Sequence, residues 1–326
     1  MKTVSIFMDV EDPINPLADD AAVELARLFS EAGVRGSFCL TGDKCRTLMA
    51  RGRTDAIEAY RPHCLGLHTD THSRHPSTME LLEKPEFKEG CEAAFEAESK
   101  GFEAFEQAFG RDPVFWGGAG NTWSVEITDA LKRLGIPAYA YALSQFPNEA
   151  VHLFNGVIGM PQALSVSELD WADDERAADC SVKVLDAIQA IPQPWIGVFV
   201  GHPTKFRYTQ YWDIQYNAGR TPPSPEFTEP HPVETYDRSK KNLAAFLSKA
   251  QDRFEVIGVD EALRLGWEFR EPTESELEFF RVGTERNMRG AATWPIHHPT
   301  LDPTKMIEKT LALADTAKVG FVGARA

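Results

Sequence analysis

Three histidines, His68, His72 and His75, fall within eight residues in the stretch GLHTDTHSRHP, residues 66–76. Imidazoles four residues apart behind a short apolar run can lie in a solvated turn or be satisfied by backbone carbonyls. They can also hold a metal ion, with a carboxylate supplied from elsewhere in the chain. Two other segments offer matching chemistry. MDVED (8–12) places Asp9, Glu11 and Asp12 directly after the apolar run TVSIF, and VGHP (200–203) places His202 directly after WIGVF. Carboxylates and imidazoles together can supply a divalent cation site, a general base and a general acid, which are the parts of a metal hydrolase.

These residues meet only if the elements in front of them run side by side. The run at 3–9 reads as a buried first strand. LADDAAVELARLFSEAG has Leu17, Ala21, Leu25, Leu28 and Phe29 at three- and four-residue steps and reads as a helix closed by Gly33. VRGSFCLTG and CLGLHTDTH follow as strands. Residues 86–109 give the clearest helix, with Phe87, Cys91, Ala94, Phe95, Phe102, Phe105 and Phe109 on one face, a core-packing stripe rather than a cofactor box. SVEITDALKRLG is the next helix, with Ser124 as its N-cap. IPAYAYAL is a strand, and NGVIGMP and ALSVSELDW are weaker strand candidates. DERAADCSVKVLDAIQAI is a helix leading into WIGVFVGHP, and ETYDRSKKNLAAFLSKAQD, FEVIGV and DEALRLGWEF give helix, strand, helix.

This alternation runs to residue 270 and argues for a mostly parallel sheet, closed as a barrel or open and doubly wound. In such folds the loops at the carboxyl ends of the strands build the site, so all three clusters could converge. The proline- and glycine-rich stretch NAGRTPPSPEFTEPHPVE is long for a connection and reads as a surface excursion or lid. Residues 271–326 carry two helical stretches, TESELEFFRVGTERN and TKMIEKTLALADTAK, and no clear strand.

Composition bounds the rest. The chain has 326 residues, 43% hydrophobic and 25% charged, an ordinary globular balance with enough length for a full core. A net charge of −15 disfavours nucleic acid and anionic membranes as partners. Cys39, Cys45, Cys64, Cys91 and Cys180 form an odd, scattered set without a CxxC pair, which reads as reduced thiols. MKTVSIFMDV lacks the apolar length of a secretory signal, and no stretch approaches a membrane span, so a cytoplasmic protein is expected.

From about residue 3 to 265 the sequence resembles the polysaccharide deacetylases, or NodB-type carbohydrate esterases. HTDTH fits the family's His-Ser/Thr-x-x-His metal motif, MDVED its first acidic motif, and IGVFVGHP its last, an apolar strand ending in histidine. GRDPVFWGGAGNTWS stands where the third motif belongs. The resemblance implies an α/β fold, a distorted (β/α) barrel of the NodB type over residues 1–270, with a helical C-terminal extension over 271–326. It implies one divalent metal held by His68, His72 and a carboxylate, zinc foremost, with cobalt, nickel, iron or manganese also suited to these donors.

The carboxylate is either Glu11 or Asp12; a strand-like continuation would turn Glu11 to the side of Asp9. Asp9 matches the catalytic base and His202 the general acid. The implied reaction is removal of an N-acyl group, with an N-acetylated sugar or oligosaccharide as the expected substrate. A binding module that has lost activity and an O-acyl esterase are the alternatives, and self-association into a homo-oligomer is compatible with the sequence. Trp116 occupies the place of the arginine that the third motif usually carries, and neither Arg74 nor Arg111 is an obvious substitute. Trp116, Tyr208 and Trp212 are the candidates for substrate contact, with Tyr211 beside them. The GGAG of residues 117–120 lacks the lysine and Ser/Thr of a phosphate loop and reads as a turn. His63, His297 and His298 read as structural.

Overall fold

The computed structural model describes residues 2–141, 150–214, 228–314 and 319–322. Its centre is a parallel sheet that starts with β1 (Thr3–Val10), every residue of which is buried. β1 is flanked by β2 (Ser37–Leu40) on one side and β9 (Trp195–Phe199) on the other, both parallel to it. From β2 the ladder continues through β3 (Cys64–Leu67), β4 (Phe115–Gly117), β5 (Ala138–Tyr141) and β7 (Val157–Pro161), all parallel. On the other edge, β9 pairs with β8 (Leu164–Ser165). Only Gln162 and Ala163 separate β7 from β8, so one bent segment joins both ends of the ladder and the sheet curls into a distorted barrel. This is the expected fold class.

Alternation along β1 sets the two faces. Phe7 points into the barrel, where it meets Phe115 and Trp195 edge-on at 5.6 and 6.3 Å. Ile6, Met8 and Val10 point outward into the larger core with Leu25 and Phe29 of α1 (Pro16–Glu31). Because side chains two residues apart share a face, Asp9 follows Phe7 on the inner side, at the carboxyl end. The remaining layer includes α2 (Gly42–Ala50), α3 (Thr54–Tyr60), α4 (Thr78–Leu82), α5 (Phe87–Phe109), α6 (Val125–Leu134), α7 (Glu168–Trp171), α8 (Asp174–Ala190) and α9 (Pro203–Arg207). It continues with α10 (Val233–Arg253), which leads to β10 (Glu255–Val256) against β1, and α11 (Val259–Ala262). α5 matches the expected 86–109 closely and ends at Gly110, whose φ of 65° suits glycine.

Three local expectations change. NGVIGMP is the second half of a hairpin: β6 (His152–Phe154) turns back into β7 through Asn155-Gly156, at φ 49° and 83°, the pair that a two-residue hairpin turn selects. ALSVSELDW is only briefly extended, at β8, before Ser167 caps α7. The C-terminal stretch is not helical alone. Besides α12 (Glu274–Ala292) and α13 (Thr304–Ala314) it supplies β12 (Val319–Val322), which lies antiparallel between β6 and β11 (Phe269–Arg270). Phe280, Met288, Met306 and Ile307 share a core cluster with Trp116, Trp123 and Leu131 of the barrel region. The part of the suspected excursion at 217–227 lies outside the described residues, as do 142–149, which include the end of the IPAYAYAL strand.

Candidate active site

Each chemical side chain sits just past a strand. Asp9 is the penultimate residue of β1 and Glu11 continues the extended chain; both are buried. His68 follows β3, fixed by its backbone N–H to the Leu40 carbonyl at 2.8 Å. His202 follows β9 and precedes α9. Their side chains converge. Glu11 Oε2 lies 3.0 Å from His68 Nε2 and 2.6 Å from His72 Nε2, and Glu11 Oε1 lies 3.6 Å from His202 Nε2. Asp9 Oδ2 is 3.7 Å from His68 Nε2. All of this opens onto a cavity of about 550 Å³ at the carboxyl end of the barrel.

The histidine loop is bent to make this possible. Thr69 and His72 both have left-handed backbones, at φ 57° and 55°, a conformation that costs a non-glycine residue about 1 kcal/mol or more. Thr69 Oγ1 accepts the His72 N–H at 3.1 Å across the turn. Behind His72, Nδ1 meets Ser73 Oγ at 2.6 Å, and the Asp213 carboxylate lies against that serine. Behind His202, Glu168 Oε1 accepts both the backbone N–H at 2.8 Å and Nδ1–H at 2.5 Å, leaving Nε2 toward Glu11 and the cavity.

Charge balance follows from burial and these contacts. Burial alone would hold His202 neutral, but Glu11, Glu168 and Asp9 outweigh it and raise the imidazole to about 9. Burial also pushes the Asp9 carboxyl up, an effect that the neighbouring His68 and His202 only partly oppose. Glu11 is held well below the usual carboxylate range: its own burial is overcome by His72, His202 and His68. His68 goes up despite burial, because Asp9, Cys39 and Glu11 surround it.

Among the described residues, two overlapping groups have the spacing of metal donors, Glu11–His68–His72 and Asp9–Cys39–His68. The second is poor. Burial lifts the Cys39 thiol to about 12, and a protonated thiol is not a good ligand. The first fits well: it joins two imidazole nitrogens and one ionised carboxylate. Neither oxygen of that carboxylate has a hydrogen-bond donor beyond the facing histidines. Such an arrangement leaves a buried charge uncompensated unless a cation or imidazolium meets it.

Asp12 is engaged elsewhere. Its carboxylate accepts the backbone N–H groups of Ile14 and Asn15, the Asn15 side chain and the Thr204 hydroxyl, all within 3.0 Å, and so organises the start of α1. It is not a donor to the cluster. Of the aromatic candidates for substrate contact, Trp116, Tyr208 and Trp212 do not line the cavity. Trp116 is buried with its indole N–H on Glu98 at 2.9 Å; Tyr208 is buried and bridges to Pro230; Trp212 is buried beside His72, ring centres 5.3 Å apart. A large aromatic side chain following a strand packs inward as readily as it faces a ligand. Tyr211, next to Trp212, does line the cavity.

Among the described residues the expected arginine has no replacement. Arg111 donates to the His63 carbonyl and Arg74 pairs with Asp43, and among the described residues no arginine or lysine pairs with Asp9. His75 pairs with Glu80, His63 with Ser30 and Ala26, and His297 with Ser77, so these three are structural. Sequence reasoning missed Glu168, Asp213 and the cavity wall from the C-terminal stretch, Trp294, Pro295 and Ile296. None of these carries a spacing relation to the histidines.

No protein-family model and no curated protein matches the sequence. Solved structures do match. A Mycobacterium smegmatis protein assigned as a polysaccharide deacetylase superimposes with a TM-score of 0.51 and 16% identity, over 84% of this chain and 95% of the other. The fold is of the polysaccharide deacetylase type. A 4-α-glucanotransferase of Thermococcus litoralis shares this deacetylase-type fold at TM-score 0.54 and 11% identity, over 81% of this chain and 40% of the other. A pseudoenzyme of the CE4 family from Bacillus anthracis gives 0.45 and 12%, over 80% and 65%. At these identities the likeness is one of fold, and function has to be argued from the site.

Proposed function

We propose that the protein is a metal-dependent hydrolase that removes an N-acyl group, with Glu11, His68 and His72 as metal ligands, Asp9 as general base and His202 as general acid. The reading is carried by the meeting, at one cavity, of residues from positions 9–11, 68–72 and 202 in complementary protonation states. Zinc is the ion these donors suit best. When bound, such an ion supplies Lewis acidity toward the acyl oxygen and makes water a stronger nucleophile at neutral pH.

The chain's own groups account for the protons. Asp9, with Oδ1 free of hydrogen-bond partners, accepts the proton of the attacking water, and its burial makes it a stronger base than a solvated carboxylate. His202, charged at neutral pH, delivers its Nε2 proton to the nitrogen as the C–N bond breaks. The new C–O bond yields a carboxylic acid and an amine. Glu168 holds His202 so that Nε2, not Nδ1, faces the cavity.

Among N-acyl compounds, N-acetylated sugars are the class that the likeness of sequence and fold brings first. The test is acetate release by metal-loaded protein, with and without chelator. Metal-dependent release lost in Asp9→Asn, with metal content unchanged, is the expected result. Turnover that survives complete metal removal would overturn the reading. One observation favours a second: among the described residues no arginine or lysine pairs with Asp9, and its burial outweighs the neighbouring histidines. A binding module that retains metal but never turns over would be recognised by metal in wild type and no hydrolysis of amide or ester.

A further inference from the structure

We propose that the segment Trp294–Pro295–Ile296 is the specificity wall of this cavity, and that it selects a compact N-acyl compound carrying an aromatic or branched alkyl group over an internal residue of a polysaccharide. The proposal rests on the hydrolase reading only for the identity of the bond cut.

The wall lines the same cavity as the catalytic cluster and comes from beyond α12, outside the barrel strands. It is seated on the GGAG turn. Gly120 has φ 56°, and a Cβ there would overlap the Ile296 side chain and crowd Trp294. The glycine therefore serves a close approach by the tail, not a phosphate. Downstream, His297 Nδ1 bonds Ser77 Oγ at 2.7 Å and the His298 N–H donates to Glu80, so the segment is pinned to the loop after the histidines as well.

The chemistry of the wall is apolar. Trp294 and Ile214 are 42% and 44% exposed, large apolar side chains left uncovered at the cavity. Phe199 and Tyr211 extend that surface toward His202, with ring centres 4.9 and 5.2 Å from the imidazole. Among the described residues, the lining outside the proposed ligands, base and acid offers as polar side-chain groups Gln162, Ser165, Asp213 behind His72, and the Tyr211 hydroxyl. Each sugar ring brings several hydroxyls, and every one desolvated without a partner weakens binding. A polymer lying across this cavity would leave most of its hydroxyls facing the wall. A cavity of about 550 Å³ instead falls within the range that small, largely apolar ligands fill.

The experiment uses the metal-loaded full chain and measures binding and hydrolysis separately. The probes are N-acetylphenethylamine, N-acetylglucosamine and its linear tetramer. The aromatic amide should bind at least about tenfold more tightly than the monosaccharide, and the tetramer no more tightly than the monosaccharide. Trp294→Ala should weaken the aromatic amide by about tenfold or more and change the monosaccharide by less than about twofold. Trp294→Phe should restore most of the loss, which separates a wall contact from misfolding. A tetramer that binds more tightly than the monosaccharide, an aromatic amide unaffected by Trp294→Ala, or no measurable binding of the aromatic amide overturns the proposal. The predicted binding pattern without turnover would remove the hydrolase reading and leave the wall in place.

Discussion

Glu11 and Asp12 are adjacent acids with different tasks, and the difference is measurable. Glu11→Gln, like His68→Ala or His72→Ala, should leave the purified protein without stoichiometric metal in elemental analysis. Asp12→Ala should keep the metal but lose about 2–3 kcal/mol of stability in denaturant unfolding, since it strips the acceptor from two backbone N–H groups and the Thr204 hydroxyl. Glu168 is tested by pH. Glu168 favours the charged form of His202 through its bond to Nδ1, so activity that needs the imidazolium should fall as pH rises through the His202 titration. Glu168→Gln removes this negative charge, so the basic limb of kcat/KM should move to lower pH; an unmoved limb would dissociate Glu168 from the acid. The histidines and the first acids were legible because short motifs after strands carry them. Glu168 was not, because it lies at the start of a four-residue helix and its partner is 34 positions away.

At the scale of elements, the third-motif segment shows how a local substitution is absorbed. Where an arginine was expected, Trp116 turns away from Asp9 and donates to Glu98 on α5. Burial raises the Glu98 carboxyl to about 8, only partly relieved by the indole. A carboxyl whose folded pKa lies above its unfolded value keeps a proton in the native state that the unfolded chain has lost. Stability from this group is therefore complete below about pH 4.5 and declines up to about pH 8, at roughly 1.4 kcal/mol per pH unit at most. Glu98→Gln keeps an acceptor for the indole and cannot ionise. Its melting temperature should match wild type near pH 5 and exceed it at pH 8. The strand–helix alternation that positions both groups was readable from hydrophobic period. The β6–β7 hairpin was also signalled, by Asn155-Gly156, but the run before it was too short to read as a strand.

At the scale of the whole molecule, residues on both sides of position 270 share one sheet and one core cluster. β12 joins the same sheet as the barrel strands, and Lys309 on α13 reaches the buried Glu126 and the carbonyls of Leu82 and Pro85. Phe280, Met288, Met306 and Ile307 are each worth about 1.5–3 kcal/mol of burial. A chain ending at residue 270 should therefore fail to give the single cooperative unfolding transition of the full chain, and should bind a dye for exposed apolar surface. The sequence showed the two helices of this tail but not their destination, because amphipathic period tells which face is buried and not against what.

The placement of β1 between β2 and β9 also bears on how the protein is made. The three proposed ligands lie between positions 11 and 72, yet the second edge of the first strand stays open until residue 199 is synthesised. At about 5–20 residues per second that gap lasts on the order of ten seconds, during which the open edge of a largely apolar strand depends on chaperones or on transient neighbours for cover.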